Sequence, residues 1–145
     1  MRDPHQKEST TPVHFTSIAE LEAASYETTM KHYFGVGDWC GSTDVNMHVA
    51  YLDPGEETRA HFHIRADIAL FVIEGESTML TWDQNFVQTE HHLKPGDFAF
   101  IPRGTIHKDI NNTDARFGLV AAYNNVGTGP ESLKVYVEEP IGSTE

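Results

Sequence analysis

The chain of 145 residues holds one cysteine, Cys40, so no disulfide can close within it, which suits a reducing compartment. Nothing basic adjoins Cys40 to activate its thiol, and beside Trp39 it reads as a small buried residue. Positive charge is scarce: ten lysines and arginines against twenty-two acidic residues leave a net charge of −12. A surface of that sign repels phosphate backbones and anionic lipid, which argues against nucleic-acid and membrane partners. No apolar run reaches the length of a membrane span, and Met1 to Pro12 lacks the hydrophobic core of a signal peptide, so a cytoplasmic location is expected. Internal repeats and low-complexity tracts are missing as well. Residues 1–16 read as a polar N-terminal tail, and 17–145 as one domain whose 39 % hydrophobic content suffices for a single core.

Helical signal is thin. Ser17-Ile-Ala-Glu20 has the form of a capping box and predicts one short helix over about residues 18–24. Tyr26 to Gly37 shows no clear period and reads as a loop or edge strand. From Asp44 onward the pattern is of strands, with a barrel core over about residues 44–137. Val45 to Leu52 ends at Asp53-Pro54-Gly55-Glu56, which has Pro and Gly at the central positions of a type II turn. Ala60 to Ile64 follows, and then Ile68 to Ile73, a continuous apolar run that reads as a strand buried on both faces. Ser77 to Trp82 and Phe86 to Leu93 flank the short connection Asp83-Gln84-Asn85. A second Pro-Gly turn, Lys94 to Asp97, leads into Phe98 to Ile101, read as another buried strand. Thr105 to Ile110, Phe117 to Tyr123 and Leu133 to Val137 complete at least eight short strands. Such spacing, punctuated by Gly and Pro, predicts an all-β closed barrel or double-sheet jelly roll.

His61 and His63 are one residue apart on a predicted strand, so their side chains share a face. His107 follows the turn Pro102-Arg103-Gly104 on a separate apolar strand. Imidazoles converging from two strands of one barrel build an open metal site from neutral nitrogen donors.

Two spaced patterns carry a family resemblance. Gly55, five residues, His61, one residue, His63 and later Gly75 resembles the first motif of the cupins, G-x5-H-x-H-x3,4-E-x6-G. Gly96, five residues, Pro102, x, Gly104, two residues, His107, three residues and Asn111 is similar to the second, G-x5-P-x-G-x2-H-x3-N, at every position. The resemblance covers roughly residues 45–123. It implies a cupin jelly-roll barrel with a short N-terminal extension, a metal at its mouth held by His61, His63 and His107, and assembly as a homodimer. The family's glutamate position falls on Ile68. Asp67, one residue earlier, reaches the metal as a fourth ligand only if a bulge turns it inward. The expectation is a three-histidine site for one divalent transition metal per chain, Fe(II) first, with Zn(II), Mn(II) and Ni(II) as alternatives. The first functional reading is a non-haem iron-type dioxygenase acting on a small oxygen-chelating organic substrate. The alternatives are a non-redox zinc cyclase, isomerase or lyase, and a cupin that binds metal and small ligand without turnover.

Other residues are candidates by chemistry and parity. His48, which shares a face with Asn46, and Tyr123, on a late strand, are the acid/base candidates. Tyr51, Trp82, Phe100 and Arg103 are the substrate-pocket candidates, the last as a receiver of negative charge at the rim. Asn111 is a residue behind the ligands or a turn residue. His5, His14, His32, His91 and His92 read as ordinary solvated or core histidines. An inward acid or base beside the metal would favour proton-transfer chemistry, and a closed apolar pocket without one would favour oxygen chemistry or simple binding.

Overall fold

The computed structural model of the chain describes residues 12–24 and 30–140. Among them, ten strands follow in order: β1 (Lys31–Val36), β2 (Val45–Leu52), β3 (His61–His63), β4 (Ile68–Glu74), β5 (Ser77–Trp82), β6 (Gln88–Leu93), β7 (Phe98–Ile101), β8 (Ile106–Ile110), β9 (Phe117–Asn124) and β10 (Lys134–Tyr136). They form two five-stranded sheets, β1-β2-β9-β4-β7 and β10-β3-β8-β5-β6, each paired antiparallel throughout. Successive strands repeatedly switch sheets, so the apolar sides face each other in a jelly roll. Alternation in β2 sends Asn46, His48, Ala50 and Leu52 inward, all of them buried. Ile68, Leu70 and Val72 of β4 and Leu119, Ala121 and Tyr123 of β9 do the same and make the core.

The predicted turns hold. Glu56 N–H donates to the Asp53 carbonyl at 3.1 Å with Gly55 at φ +79°, the left-handed conformation that a type II turn requires. Gly75 is the tightest of the motif glycines: at φ +66° an added Cβ would lie 2.1 Å from the Arg116 carbonyl oxygen.

Several expectations are corrected. The predicted helix over 18–24 is a single 3₁₀ turn, Ile18–Glu20, in which Ser17 makes no side-chain cap and no residue is buried. By Ala24 the chain already pairs with His32, and a turn with no buried face has no packing to lengthen it. Residues 1–11 of the tail, including His5, and Tyr26 lie outside the described residues. Residues 30–37, the described part of the segment read as loop or edge strand, hold β1, which lies at the edge of its sheet. β4 is buried on one face only, and Ile73 is exposed. β7 is likewise not a buried strand, since Phe98 is 79 % and Phe100 65 % exposed. In a two-layer fold only the inner side of each sheet meets another layer. The outward rings of Phe71 and Phe98 pack on each other instead, with centres 4.6 Å apart. Among the described residues no helix is long and apolar enough to cross a membrane.

Asn111 ties the barrel end together. Its buried amide donates to the carbonyls of Leu52 and Ala115, both at 2.9 Å, while its Oδ1 accepts from the Thr113 N–H at 3.0 Å and hydroxyl at 2.7 Å. Every bond goes to a turn or strand end and none to a histidine, so its role is structural. Asn111→Ala leaves the buried Leu52 carbonyl without its donor and is expected to cost about 1–3 kcal/mol in denaturant unfolding. The folded variant should keep its full metal stoichiometry, and a metal-deficient but equally stable protein would contradict this assignment.

Candidate metal centre

His61 and His107 are direct partners across β3 and β8, and His63 is two residues along β3 from His61. Cross-strand partners share a face, so one sheet carries all three rings on its inner side. The ring centres lie 4.2 Å apart for His61–His107, 5.3 Å for His61–His63 and 5.7 Å for His63–His107. One nitrogen from each ring lies within 4.8 Å of the others, and all three residues are buried.

The hydrogen bonds behind the rings set their tautomers. Nδ1–H of His61 donates to the Arg59 carbonyl at 2.7 Å, and Nδ1–H of His107 to the Thr105 carbonyl at 2.9 Å. His63 Nδ1 lies 2.8 Å from the Ser132 hydroxyl, whose own proton goes to the Gly129 carbonyl at 2.6 Å, so this nitrogen too carries the proton. All three rings therefore present a bare Nε2. The Nε2 of His63 is buried with no hydrogen-bond partner, an arrangement costly for a packing residue and natural for a ligand. Burial, reinforced by neighbouring positive charge, pushes the His63 pKa down to about 3 and that of His107 to about 4, with His61 lower still. Three neutral, aligned nitrogen donors fit a divalent transition ion.

The opposite sheet supplies the facing wall. His48 of β2 and Tyr123 of β9 have ring centres 5.0 Å apart, and Tyr123 lies 5.2 Å from His63. His48 Nδ1–H donates to Asn46 Oδ1 at 3.4 Å, which turns its Nε2 into an acceptor. Burial raises the Tyr123 phenol above its ordinary range and lowers His48 well below its own. Asp109, two residues past His107 and so on the same side of β8, is fully enclosed with Oδ1 unpartnered, and burial pushes its pKa up to about 7. His32 of β1 completes the wall, its ring centre 5.1 Å from His48 and its pKa lowered to about 4 by burial. The cavity between the walls measures about 40 Å³ and adjoins an outer groove of about 240 Å³, with His32, His63, Tyr123 and Lys134 lining both.

The remaining sequence candidates lie elsewhere, and their assignment to the site is corrected. Asp67 cannot serve as a fourth ligand in this arrangement. It sits in the loop between β3 and β4, where its carboxylate accepts from Arg103 (backbone N–H at 2.9 Å, guanidinium at 3.2 Å) and from Asn124 at 2.9 Å. Arg103 is thereby committed to Asp67 and does not line the cavity. Tyr51 lies on the outer face of β2, with the Arg116 guanidinium 3.8 Å over its ring. Phe100 points outward as described. Trp82 is buried, but its β5 neighbour Thr81 is the one that pairs with His107, so Trp82 occupies the opposite face. Three residues of the cavity escaped the sequence reading. Asp109 was detectable by its even spacing from His107, whereas His32 and Lys134 lie in short segments whose register only the sheet defines.

The buried histidines make the metal-free chain acid-labile. Below the ordinary value of 6.5 the unfolded chain takes up protons that His63, His107 and His32 refuse until about pH 3–4, so folding stability falls as pH drops through that interval. Asp109 opposes this as one group between 3.8 and about 7. Each uncompensated histidine contributes on the order of 1.4 kcal/mol per pH unit. The thermal midpoint of metal-free protein should therefore be clearly lower at pH 5.5 than at pH 7.5, and an equal or higher midpoint would refute the neutral, buried assignment.

Comparisons with known proteins agree with this architecture. The family model of the cupin domain matches residues 48–123. A germin-like protein of Arabidopsis thaliana, subfamily 2 member 1, is 35 % identical over 100 residues, which is 64 % of this chain and 43 % of that protein. Germin-like protein 5-1 of Oryza sativa is 33 % identical over 100 residues, again 64 % of this chain and 43 % of its own length. The chain thus spans less than half the length of these plant relatives. Among solved structures, the polyketide cyclase RemF from Streptomyces resistomycificus superposes with a TM-score of 0.73 at 16 % identity, over 91 % of this chain and 90 % of that one. Oxalate oxidase in complex with the substrate analogue glycolate superposes with a TM-score of 0.70 at 21 % identity, over 85 % of this chain and 63 % of that one. With the family pattern running through more than half its length, and with both spaced motifs folded into one double sheet, the chain belongs to the cupin family.

Proposed function

We propose that this cupin is a metal-dependent enzyme that moves protons on a small organic molecule chelating the ion through oxygen, in the manner of an isomerase, lyase or cyclase. One observation carries the reading: the three bare Nε2 atoms on one sheet face a wall of acid/base groups on the other. His61, His63 and His107 would hold a divalent ion, which would supply Lewis-acid polarisation of a substrate oxygen. His48, fixed by Asn46 with its Nε2 free to accept, takes the proton. Tyr123, kept protonated by burial, donates a hydrogen bond to oxygen that gains negative charge. Asp109 is close to half-protonated near neutrality and can hold a proton between steps. The resemblance in shape to a polyketide cyclase of nearly equal extent is consistent with this class.

A second reading is the iron-type dioxygenase. It is favoured by the donor set itself, because three neutral imidazoles and no carboxylate leave the ion most of its charge and several open positions.

His61→Ala and His107→Ala should each abolish stoichiometric metal binding in elemental analysis, and full occupancy in both would remove the site. Zn(II)-loaded protein should speed solvent-deuterium incorporation beside the carbonyl of hydroxyacetone, followed by NMR. His48→Gln should slow that exchange on the order of 10²-fold at unchanged metal content. Oxygen uptake by Fe(II)-loaded protein with catechols or β-diketones, without deuterium exchange, would decide for the dioxygenase.

A further inference from the structure

We infer that Ser132 is a positioning residue for the metal centre: its docked hydroxyl makes His63 a ligand, so the turn that carries it completes a site that the barrel strands leave one donor short. The inference rests on the three-histidine metal site proposed above. It adds to that site an element from outside residues 48–123, the part of the chain that the cupin pattern covers.

The three rings are oriented in two different ways. Nδ1–H of His61 and of His107 each donate to a carbonyl two residues earlier, Arg59 at 2.7 Å and Thr105 at 2.9 Å. Those acceptors belong to the chain entering β3 and β8, so they arrive with the strands themselves. Nδ1 of His63 instead meets the Ser132 hydroxyl at 2.8 Å, a side chain 69 residues further along. Ser132 has a single hydroxyl proton, and its oxygen lies 2.6 Å from the Gly129 carbonyl. Turning that proton toward the imidazole would leave two bare oxygens facing each other at that distance. The hydroxyl therefore donates to Gly129 and accepts from His63, which keeps the His63 Nε2 free of a proton and directed at the other two rings.

Ser132 is built into place. It is fully buried in the 3₁₀ turn Pro130–Ser132. Its carbonyl accepts from the N–H groups of Ile64 at 3.1 Å and Arg65 at 3.0 Å, the two residues after His63. Glu131 Oε2 accepts from the Gly127 N–H at 3.0 Å on the other side of the turn. Leu133 leaves the turn at φ +53°, a left-handed conformation that a branched side chain keeps only where surrounding bonds dictate it. Closing the turn does not require the hydroxyl, because the Gly129 carbonyl already accepts the Ser132 N–H at 3.1 Å. What the hydroxyl adds is the bond to His63. Without it neither nitrogen of that buried ring has a partner to hold the proton, and a proton on Nε2 blocks the lone pair an ion needs.

The test uses the full chain. Long-range proton–nitrogen NMR correlations in metal-free protein report the tautomer of each imidazole, and wild type should show His61, His63 and His107 all protonated on Nδ1. Ser132→Ala should give His63 a substantial Nε2–H population while His61 and His107 stay unchanged. It should also weaken Co(II) binding, measured by competition with a chelating dye, by about 10- to 100-fold. Ser132→Thr restores a hydroxyl and should return both readings to near the wild-type values. Ser132→Cys, a weak acceptor of similar size, serves as a second variant should the alanine one fold poorly, and its loss should be intermediate. An unchanged His63 tautomer or an unchanged Co(II) affinity in folded Ser132→Ala overturns the inference. Equal disturbance of all three rings also overturns it, since that would mark a serine that only supports the fold. If wild-type chain takes up no Co(II), the metal reading falls by itself. The ring signals then decide whether Ser132 directs His63: a shifted tautomer in Ser132→Ala supports it, and an unmoved one overturns it.

Discussion

Everything in this molecule depends on keeping three buried imidazoles neutral and pointed at one spot between two β-sheets. Burial takes the rings out of bulk solvent and gives them fixed partners instead. The Arg59 and Thr105 carbonyls and the Ser132 hydroxyl each take the Nδ1 proton from behind, which leaves the opposite nitrogen no choice of direction. The energetic cost is visible in a buried Nε2 without a partner on His63. A site prepared in this way is strained toward occupancy by burial alone, before any contribution from the ion.

The two sheets divide the chemistry between them. β3 and β8 carry nitrogen donors, and β1, β2 and β9 carry His32, His48 and Tyr123 opposite. The separation follows from strand alternation. Inner-facing positions carry the histidine cluster on one sheet, His32, His48 and Tyr123 on the other, and the apolar core beyond them, while the next residue along faces out. Asp109 is the exception that links them, a carboxyl on the ligand sheet whose enclosure makes it behave as an acid near neutrality.

The parts of this arrangement that were legible in the sequence were those written in local spacing. The turns at Gly55 and Gly96, the limits of β2 and β5, and the clustering of His61, His63 and His107 all follow from periods of two and from Pro-Gly punctuation. The errors share a cause as well. Ile68 to Ile73 and Phe98 to Ile101 look alike as apolar strings, and nothing local says that one side of each sheet has no covering layer. Asp67 was weighed as a ligand by position in a motif, but its fate was settled by Arg103 and Asn124, thirty-six and fifty-seven residues away. Tyr51 and Trp82 have the chemistry of pocket residues, and alignment with their strand partners turns both away. His32 and Lys134 become meaningful only once β1 and β10 are paired with their neighbours.

The pairing of His61 with His107 has one more outcome. Sliding β8 past β3 by a single position would present Ile106 or Lys108 where an imidazole belongs, because adjacent side chains project to opposite sides. Only the aligned sheet gathers the three rings, so an ion held by them would lower the free energy of that register relative to every shifted one.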